Sequence, residues 1–158
     1  METADILHMK EALKEAFDAF ERGEVPVGSV LVYQNQIIAR SFNQVETLID
    51  ATAHAEMLCI RQGSAILNNW RLTGCTLYTT LEPCPMCAGA LISSRIDRVV
   101  WGAPDIRQGA GGSLISLLGQ PHPIHTVQVT SGVLADESAA LLKSFFQQRR
   151  ECKKSLTN

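Results

Sequence analysis

The sequence has no excess of basic residues and no long apolar run. Its 14 Lys and Arg residues are set against 16 Asp and Glu residues, which gives a formal net charge of -2. This balance disfavours a protein that coats nucleic acid without sequence preference. No stretch approaches the roughly 20 apolar residues that would span a bilayer, so we expect no membrane association.

The sequence is also poor in the features of disordered and fibrous chains. Charged residues make up 19% and apolar residues 46%, with only 11 Gly and 6 Pro. Disordered, collagen-like and low-complexity classes are therefore excluded. With 158 residues, no internal repeat and no interior linker, the chain is expected to form one domain over residues 1–158.

The cysteine count is odd, and the first residues lack the apolar run of a signal peptide. Five cysteines fit a secreted disulfide scaffold poorly, and residues 1–14 carry charges where that run would lie. We therefore expect a cytoplasmic protein. In a reducing compartment, paired cysteines more often bind metal or carry out redox chemistry.

Hydrophobic periodicity and turn signals predict alternating helices and strands. Helices are predicted over residues 5–22, 53–67, 83–94 and 135–154, and strands over residues 27–33, 36–42, 75–81, 98–102 and 125–129. Gln34 and Asn35 separate the first two strands and predict a hairpin. The second helix is apolar on nearly every side, which indicates burial, and Leu141, Leu142, Phe145 and Phe146 are expected to point inward from the last. This order is typical of an α/β layered domain with a largely parallel sheet, the hairpin excepted.

The strongest chemical signal is the pair Cys84 and Cys87. Both lie in the run Pro-Cys-Pro-Met-Cys, where proline favours the first turn of a helix. Residues three apart share a helix face, and a helix N-terminus favours thiolate over thiol. A Cys-x-x-Cys pair alone is ambiguous between a metal site, a redox pair and two buried cysteines.

A third ligand is expected from His54. It begins the second helix in the run His54-Ala55-Glu56, and an apolar helix has no packing reason for either polar residue. A site between two helix N-termini would accommodate both pairs of residues. The alternative is a hydrogen-bonded core histidine with a surface glutamate.

Three protein ligands suit a catalytic zinc better than a structural one, which takes four. Cys75 and Cys59 are poorly placed as a fourth ligand, while His122 and His125 stay open as alternatives. An open position lets zinc acidify a water molecule. Glu56, close to the metal without binding it, would move protons, which is the logic of hydrolytic deamination.

These residues resemble a known family. The His-x-Glu and Pro-Cys-x-x-Cys signature is that of zinc deaminases. Further similarity to the bacterial tRNA-specific adenosine deaminases extends from the first helix to about Arg150. It is carried by Glu24-Val25-Pro26-Val27-Gly28, Asn43, Thr52-Ala53-His54-Ala55-Glu56, Thr80-Leu81-Glu82-Pro83-Cys84, Ser94-Arg95-Ile96, the loop of residues 102–113 and Phe145-Phe146.

The resemblance implies a three-layer α/β/α cytidine-deaminase-like fold with a mixed five-stranded sheet, and a homodimer. It implies one zinc ion per subunit, held by His54, Cys84 and Cys87, with Glu56 as proton shuttle. The implied reaction converts the wobble adenosine of an arginine tRNA, anticodon ACG, to inosine. By the same similarity, Asn43 would hydrogen-bond the purine edge and Val27 would wall the base pocket; the alternative for Asn43 is a turn residue that caps its own backbone.

Groups that contact RNA are expected around this pocket, since an anticodon loop presents its bases unpaired. The candidates are Asp105 and Arg107 in the glycine-rich loop, Arg95 and Arg98 near the site, and Arg149, Arg150, Lys153 and Lys154 on the last helix. Residues 143–154 hold five basic residues and one acidic residue, so the positive charge is local. Ala51 and Pro104 depart from the usual family pattern, and Pro104 removes a possible phosphate contact.

Two other functions share parts of this pattern. A deaminase of free cytosine, guanine or nucleoside would carry the same metal motif without needing the basic last helix. A noncatalytic RNA-binding module with structural zinc, or a thiol redox protein, would also use Cys84 and Cys87. The redox alternative leaves His54 and Glu56 unexplained.

Overall fold

The structure is a computed structural model that describes residues 2–157. Its elements, in chain order, are α1 (Ala4–Glu21), β1 (Gly28–Tyr33), β2 (Gln36–Phe42), α2 (Val45–Leu48), α3 (Ala55–Leu67), β3 (Cys75–Leu81), α4 (Pro85–Ser93), β4 (Arg98–Ala103), β5 (Gln128–Thr130) and α5 (Ala135–Thr157). No helix among these residues is long and apolar enough to cross a membrane.

The five strands form one mixed sheet in the order β2-β1-β3-β4-β5. The hairpin of β1 and β2 is confirmed, and Gln34 and Asn35 both adopt positive φ in its turn. Strands β3, β4 and β5 are parallel. The predicted mixed five-stranded sheet is confirmed, with a parallel part beside the antiparallel hairpin. The antiparallel pairing of β1 with β3 is not predicted by the local sequence pattern.

Helices cover both faces of the sheet, as the three-layer prediction requires. Alternate residues of each strand face opposite sides. On one side Leu31 and Leu77 pack with residues of α3 and α4. On the other, Val30 and Tyr78 pack against α1, and α5 contacts the same layer.

Helix α1 lies directly on the backbone of β1 at Gly28. A Cβ atom at this position would stand 2.1 Å from the carbonyl oxygen of Ala12 and 2.3 Å from the amide nitrogen of Ala16. Only glycine permits this approach. The contact fixes the position of the start of β1 and of Val27, the residue before it, at one end of the strands.

Two predictions of burial are wrong. Helix α3 buries one face only, with Met57 and Leu58 half-buried and Ile66 60% exposed, because it covers the sheet from one side. Phe145 of α5 is buried as expected, but Phe146 is 43% exposed.

The last strand is shorter than predicted. His125 lies before β5, and its Nε2 atom is 2.6 Å from the carbonyl oxygen of Ile96.

Arg98 and Arg95 lie at the opposite end of the strands from the predicted metal ligands. The expectation that these two arginines lie near the site is therefore wrong. Arg98 begins β4, whose other end at Ala103 lies roughly 16 Å away. Its guanidinium donates to the Asp5 carboxylate at 2.7 and 3.0 Å. The guanidinium of Arg95 donates to the carbonyl of Ser93. Both arginines therefore stabilise the fold.

Candidate functional site

Two helices begin at one point, beside the carboxyl ends of β3 and β4. His54 is the N-cap of α3 and Cys84 is the N-cap of α4. Cys87 lies three residues after Cys84, on the same face of the first turn. The predicted site between two helix N-termini is therefore present in the fold.

The local sequence explains why α4 starts where it does. Pro85 occupies the first helical position, where its missing N–H costs nothing. The amide of Ala88 donates to the carbonyl of Cys84 at 2.8 Å and closes the first turn. This turn directs both sulfur atoms to one side.

The three side chains form a ligand set with the dimensions of a zinc site. Nδ1 of His54 lies 3.5 Å from Sγ of Cys84 and 3.5 Å from Sγ of Cys87, and the three atoms all lie within 4.8 Å of one another. Tetrahedral zinc with bonds of about 2.0–2.3 Å separates its nitrogen and sulfur ligands by about 3.5 Å. One imidazole and two thiols therefore fit zinc in both chemistry and spacing. No other such group was found among the described residues.

The electrostatics of the set favour binding of a cation. The hydrogen bonds that Cys84 makes with Cys87 and with His54 lower the pKa of Cys84 to about 4. The bond to the Cys84 sulfur and burial raise the pKa of Cys87. The lowered pKa favours the thiolate form of Cys84, and a bound cation would favour loss of the proton from Cys87 as well.

Glu56 lies in the first turn of α3, beside the ligands but outside the ligand set. Its side chain is buried, with 4% of the residue exposed. Burial raises the pKa of this carboxyl, and the nearby His54 opposes the shift. A carboxyl in this position is suited to receive and return protons.

A cavity of about 820 Å³ opens above these residues. This volume lies within the range of small-molecule and nucleoside pockets. The floor is formed by His54, Glu56 and Cys84. The walls come from the segments around Val27, Asn43 and Asp105 and from one face of α5.

The comparisons with known proteins agree with this geometry. Residues 2–103 match the family described as the cytidine and deoxycytidylate deaminase zinc-binding region. The chain is 51% identical to a tRNA-specific adenosine deaminase of Bacillus subtilis, over 97% of this chain and 95% of that protein. A protein of the same name from Haemophilus influenzae is 48% identical, over 92% and 85% of the two chains. The chain belongs to the tRNA-specific adenosine deaminase family.

Solved structures share the fold of this deaminase. One, from a study of A-to-I editing by tRNA:A34 deaminases at the wobble position of transfer RNA, is 46% identical with a TM-score of 0.82, over 85% of this chain and 98% of that one. A guanine deaminase from Nitrosomonas europaea is 25% identical with a TM-score of 0.76, over 89% and 83% of the two chains.

Most of the predicted substrate-binding residues line the cavity of the deaminase. They are Val27, Asn43, Asp105, Arg107 and Arg149. Arg150, the next residue of α5, is not among the lining residues, whereas Lys153 is. The lining residues of α5, Leu142, Phe145, Phe146, Arg149 and Lys153, recur at helical spacing and so share one face.

Asn43 is a turn-capping residue, as one of its two expected roles requires, and it also lies in the cavity wall. Its Oδ1 accepts from the amide of Val45 at 3.4 Å, and its Nδ2 donates to the carbonyl of Val25 at 3.3 Å. The side chain therefore caps a turn and also lines the cavity. Its amide is held by the backbone in one orientation.

Asp105 and Arg149 also make contacts within the protein. The Asp105 carboxylate accepts from the amides of Arg107 and Gln108 at 3.1 and 3.2 Å and so shapes its own loop. The Arg149 guanidinium donates to the carbonyl of Gly23 and stacks over the ring of Phe145. These contacts hold α5 against the wall of the cavity.

Two buried carboxylates in the cavity wall were not singled out from the sequence. Glu24 accepts from the amides of Glu46 and Thr47 at 3.1 and 2.7 Å. Glu82 accepts from donors in the loop that follows β4. Both residues stand in the runs that carry the family resemblance, and an acidic residue beside a buried strand is the signal that could have found them.

We expect zinc content to depend on Cys84 and not on Cys59. The Cys84→Ala protein should retain little of the metal, because two ligands bind zinc far more weakly than three. The measurement is metal analysis of the purified proteins. Cys59→Ala is the matched control, since Cys59 is a buried thiol that donates to the carbonyl of Ser29 outside the ligand set. Equal zinc in all three proteins would contradict the assignment.

Proposed function

We propose that this deaminase converts adenosine to inosine at wobble position 34 of tRNA, with the arginine tRNA of anticodon ACG as substrate. The observation that carries the proposal is the buried Glu56 beside a His/Cys/Cys group at the floor of a nucleoside-sized cavity. The names of the relatives and of the structural neighbour support the choice of tRNA.

His54, Cys84 and Cys87 are proposed to hold one zinc ion per subunit. With three protein ligands and an open position, zinc supplies Lewis acidity and lowers the pKa of a water molecule. His54 and Cys84 line the cavity, so this chemistry would be supplied where the base enters.

Glu56 is proposed as the proton carrier. Its carboxylate takes a proton from the attacking water while the water oxygen bonds to C6 of adenine. The carboxyl donates that proton to N1, takes the second proton from the hydroxyl now on C6, and donates it to the exocyclic amine. Cleavage of the C6–N6 bond releases ammonia and leaves inosine, so water and adenosine balance inosine and ammonia.

The cavity walls are proposed to bind the flipped nucleotide and its neighbours. Val27 packs on the base, and the oriented amide of Asn43 meets its edge. Asp105, Arg107, Arg149 and Arg150 contact the RNA backbone around it. The exposed ring of Phe146, on the same helix face as Arg149, offers a stacking surface for an adjacent unpaired base.

We also propose a cytoplasmic homodimer. Helix α3 leaves Met57 and Leu58 half-buried and Ile66 exposed, and apolar side chains that the fold leaves uncovered are suited to a protein interface. A pair of zinc-binding thiolates also fits a reducing compartment. Sedimentation equilibrium should give the mass of two chains; a monomer at micromolar concentration would contradict the dimer.

The substrate assignment is tested by incubating the protein with two transcripts and two free bases. The transcripts are an ACG arginine tRNA and the same tRNA with guanosine at position 34, and the bases are guanine and cytosine. We expect inosine only in the ACG transcript, detected by nuclease digestion and mass spectrometry. The likeness to a guanine deaminase makes free guanine the rival. Turnover of the free base alone would overturn the proposal in favour of that activity.

Glu56→Gln separates proton transfer from metal binding. We expect the variant to keep the zinc content of the parent and to lose about two to four orders of magnitude in kcat, the usual contribution of a general acid-base residue. Single-turnover rates on the tRNA substrate and metal analysis provide the measurements. Undiminished turnover, or loss of zinc, would refute the role.

A further inference from the structure

Glu82 is a buried carboxylate whose hydrogen bonds all reach into one loop. The residue follows β3 and is 3% exposed. Its Oε1 accepts from the amide of Asp105 at 3.2 Å and from the hydroxyl of Ser113 at 2.5 Å. Its Oε2 accepts from the amides of Gly111 and Ser113 at 2.9 and 3.2 Å. These donors tie both ends of the segment 104–113, hereafter the 104–113 loop, to one side chain.

The backbone of this loop packs closely against the Glu82 carboxylate. A Cβ atom on Gly109 would stand 2.1 Å from Oε2 of Glu82, so the loop packs directly on the carboxylate at this position. A Cβ on Gly111 would stand 2.3 Å from the ring of Trp101. The glycine-rich composition is therefore explained by close packing around a buried acid and a buried ring.

The same loop forms a wall of the cavity. Asp105, Ile106, Arg107 and Gln108 line it, and Ile106 is 80% exposed. The loop thus presents the apolar side chain of Ile106 and the cation of Arg107 to the cavity opening, while Glu82 holds both ends of the loop in place. All four donors to Glu82 are neutral, so the carboxylate is satisfied by the loop alone and only while the loop keeps this conformation.

We propose that Glu82 is a positioning residue that holds the 104–113 loop ready to receive the nucleotides flanking the target adenosine. This inference rests on the proposed function for its substrate. A loop that is ordered before binding loses less conformational entropy when RNA arrives, so the clamp strengthens RNA binding rather than the chemical step. Glu82 is outside the His54, Cys84, Cys87 ligand set and contributes no ligand atom.

The test replaces the carboxylate by its amide in Glu82→Gln. The amide group of glutamine then turns a donor toward backbone N–H groups that need an acceptor. Hydrogen exchange at the amides of Asp105, Gly111 and Ser113 should accelerate by about tenfold or more, as expected for loss of a charged acceptor. KM for the tRNA substrate should rise by a similar factor, with kcat within about twofold of the parent and zinc content unchanged.

Ser113→Ala is the milder variant and keeps the test valid if Glu82→Gln does not fold. It removes only the hydroxyl donor, and KM should rise a few-fold while the Asp105 amide exchanges faster. Asp5→Asn is the matched control. It alters a carboxylate that accepts hydrogen bonds from Arg98 and Tyr78 at the other end of the strands. This variant should leave hydrogen exchange in the 104–113 loop and KM for the tRNA unchanged.

The outcomes are distinct. A fall in kcat with unchanged KM, or loss of zinc, would assign Glu82 to the chemistry or to the metal site and overturn the positioning role. Unchanged loop exchange in both variants would also overturn it. Parent protein without RNA activity would defeat the proposed function alone, since the exchange experiment uses no substrate and still decides whether Glu82 holds the loop.

Discussion

The convergence of two helix N-termini beside the ends of parallel strands is the constraint on which the rest of the structure depends. His54 stands 30 residues before Cys84 in the chain, yet their ligand atoms lie 3.5 Å apart. That proximity requires α3 and α4 to pack on one face of the sheet and to begin at the same edge. The opposite layer contributes indirectly, because α1 seated on Gly28 fixes β1, and α5 closes the cavity against α1.

Three buried glutamates line the cavity, and they differ in the groups that they contact. Glu56 lies beside the ligand set and is the proposed proton carrier, whereas Glu24 and Glu82 each accept hydrogen bonds from backbone amides of a loop in the wall. Burial would raise the pKa of Glu82, but the hydrogen bonds from Ser113, Asp105 and Gly111 hold it below its usual value. Carboxylates that accept hydrogen bonds from backbone amides in this way order the loops of the cavity wall.

Local patterns in the sequence were sufficient for most of the elements and for the metal-ligand group, though not for α2 or for the bounds of β5. The Gln34-Asn35 turn, the bounds of β3 and the His-x-Glu and Cys-x-x-Cys runs each express a short-range rule of spacing or capping. Strand order did not follow, because the pairing of β1 with β3 joins segments that are distant along the chain. Arg98 shows the same limit: its charge is visible in the sequence, but its partner Asp5 is 93 residues away. The role of Glu82 likewise depends on donors 23 to 31 residues downstream.

The basic character of α5 has a kinetic consequence. Its cavity-lining face presents Arg149 and Lys153, and the remainder of the molecule carries the compensating acidic charge. Residues 143–154 carry five basic residues and one acidic residue, so the local positive charge lies on the helix that lines the cavity. A polyanion diffusing nearby is turned toward the cavity before contact, and the acidic surfaces repel encounters from other directions. The molecule therefore selects the direction of approach as well as the chemistry of what arrives.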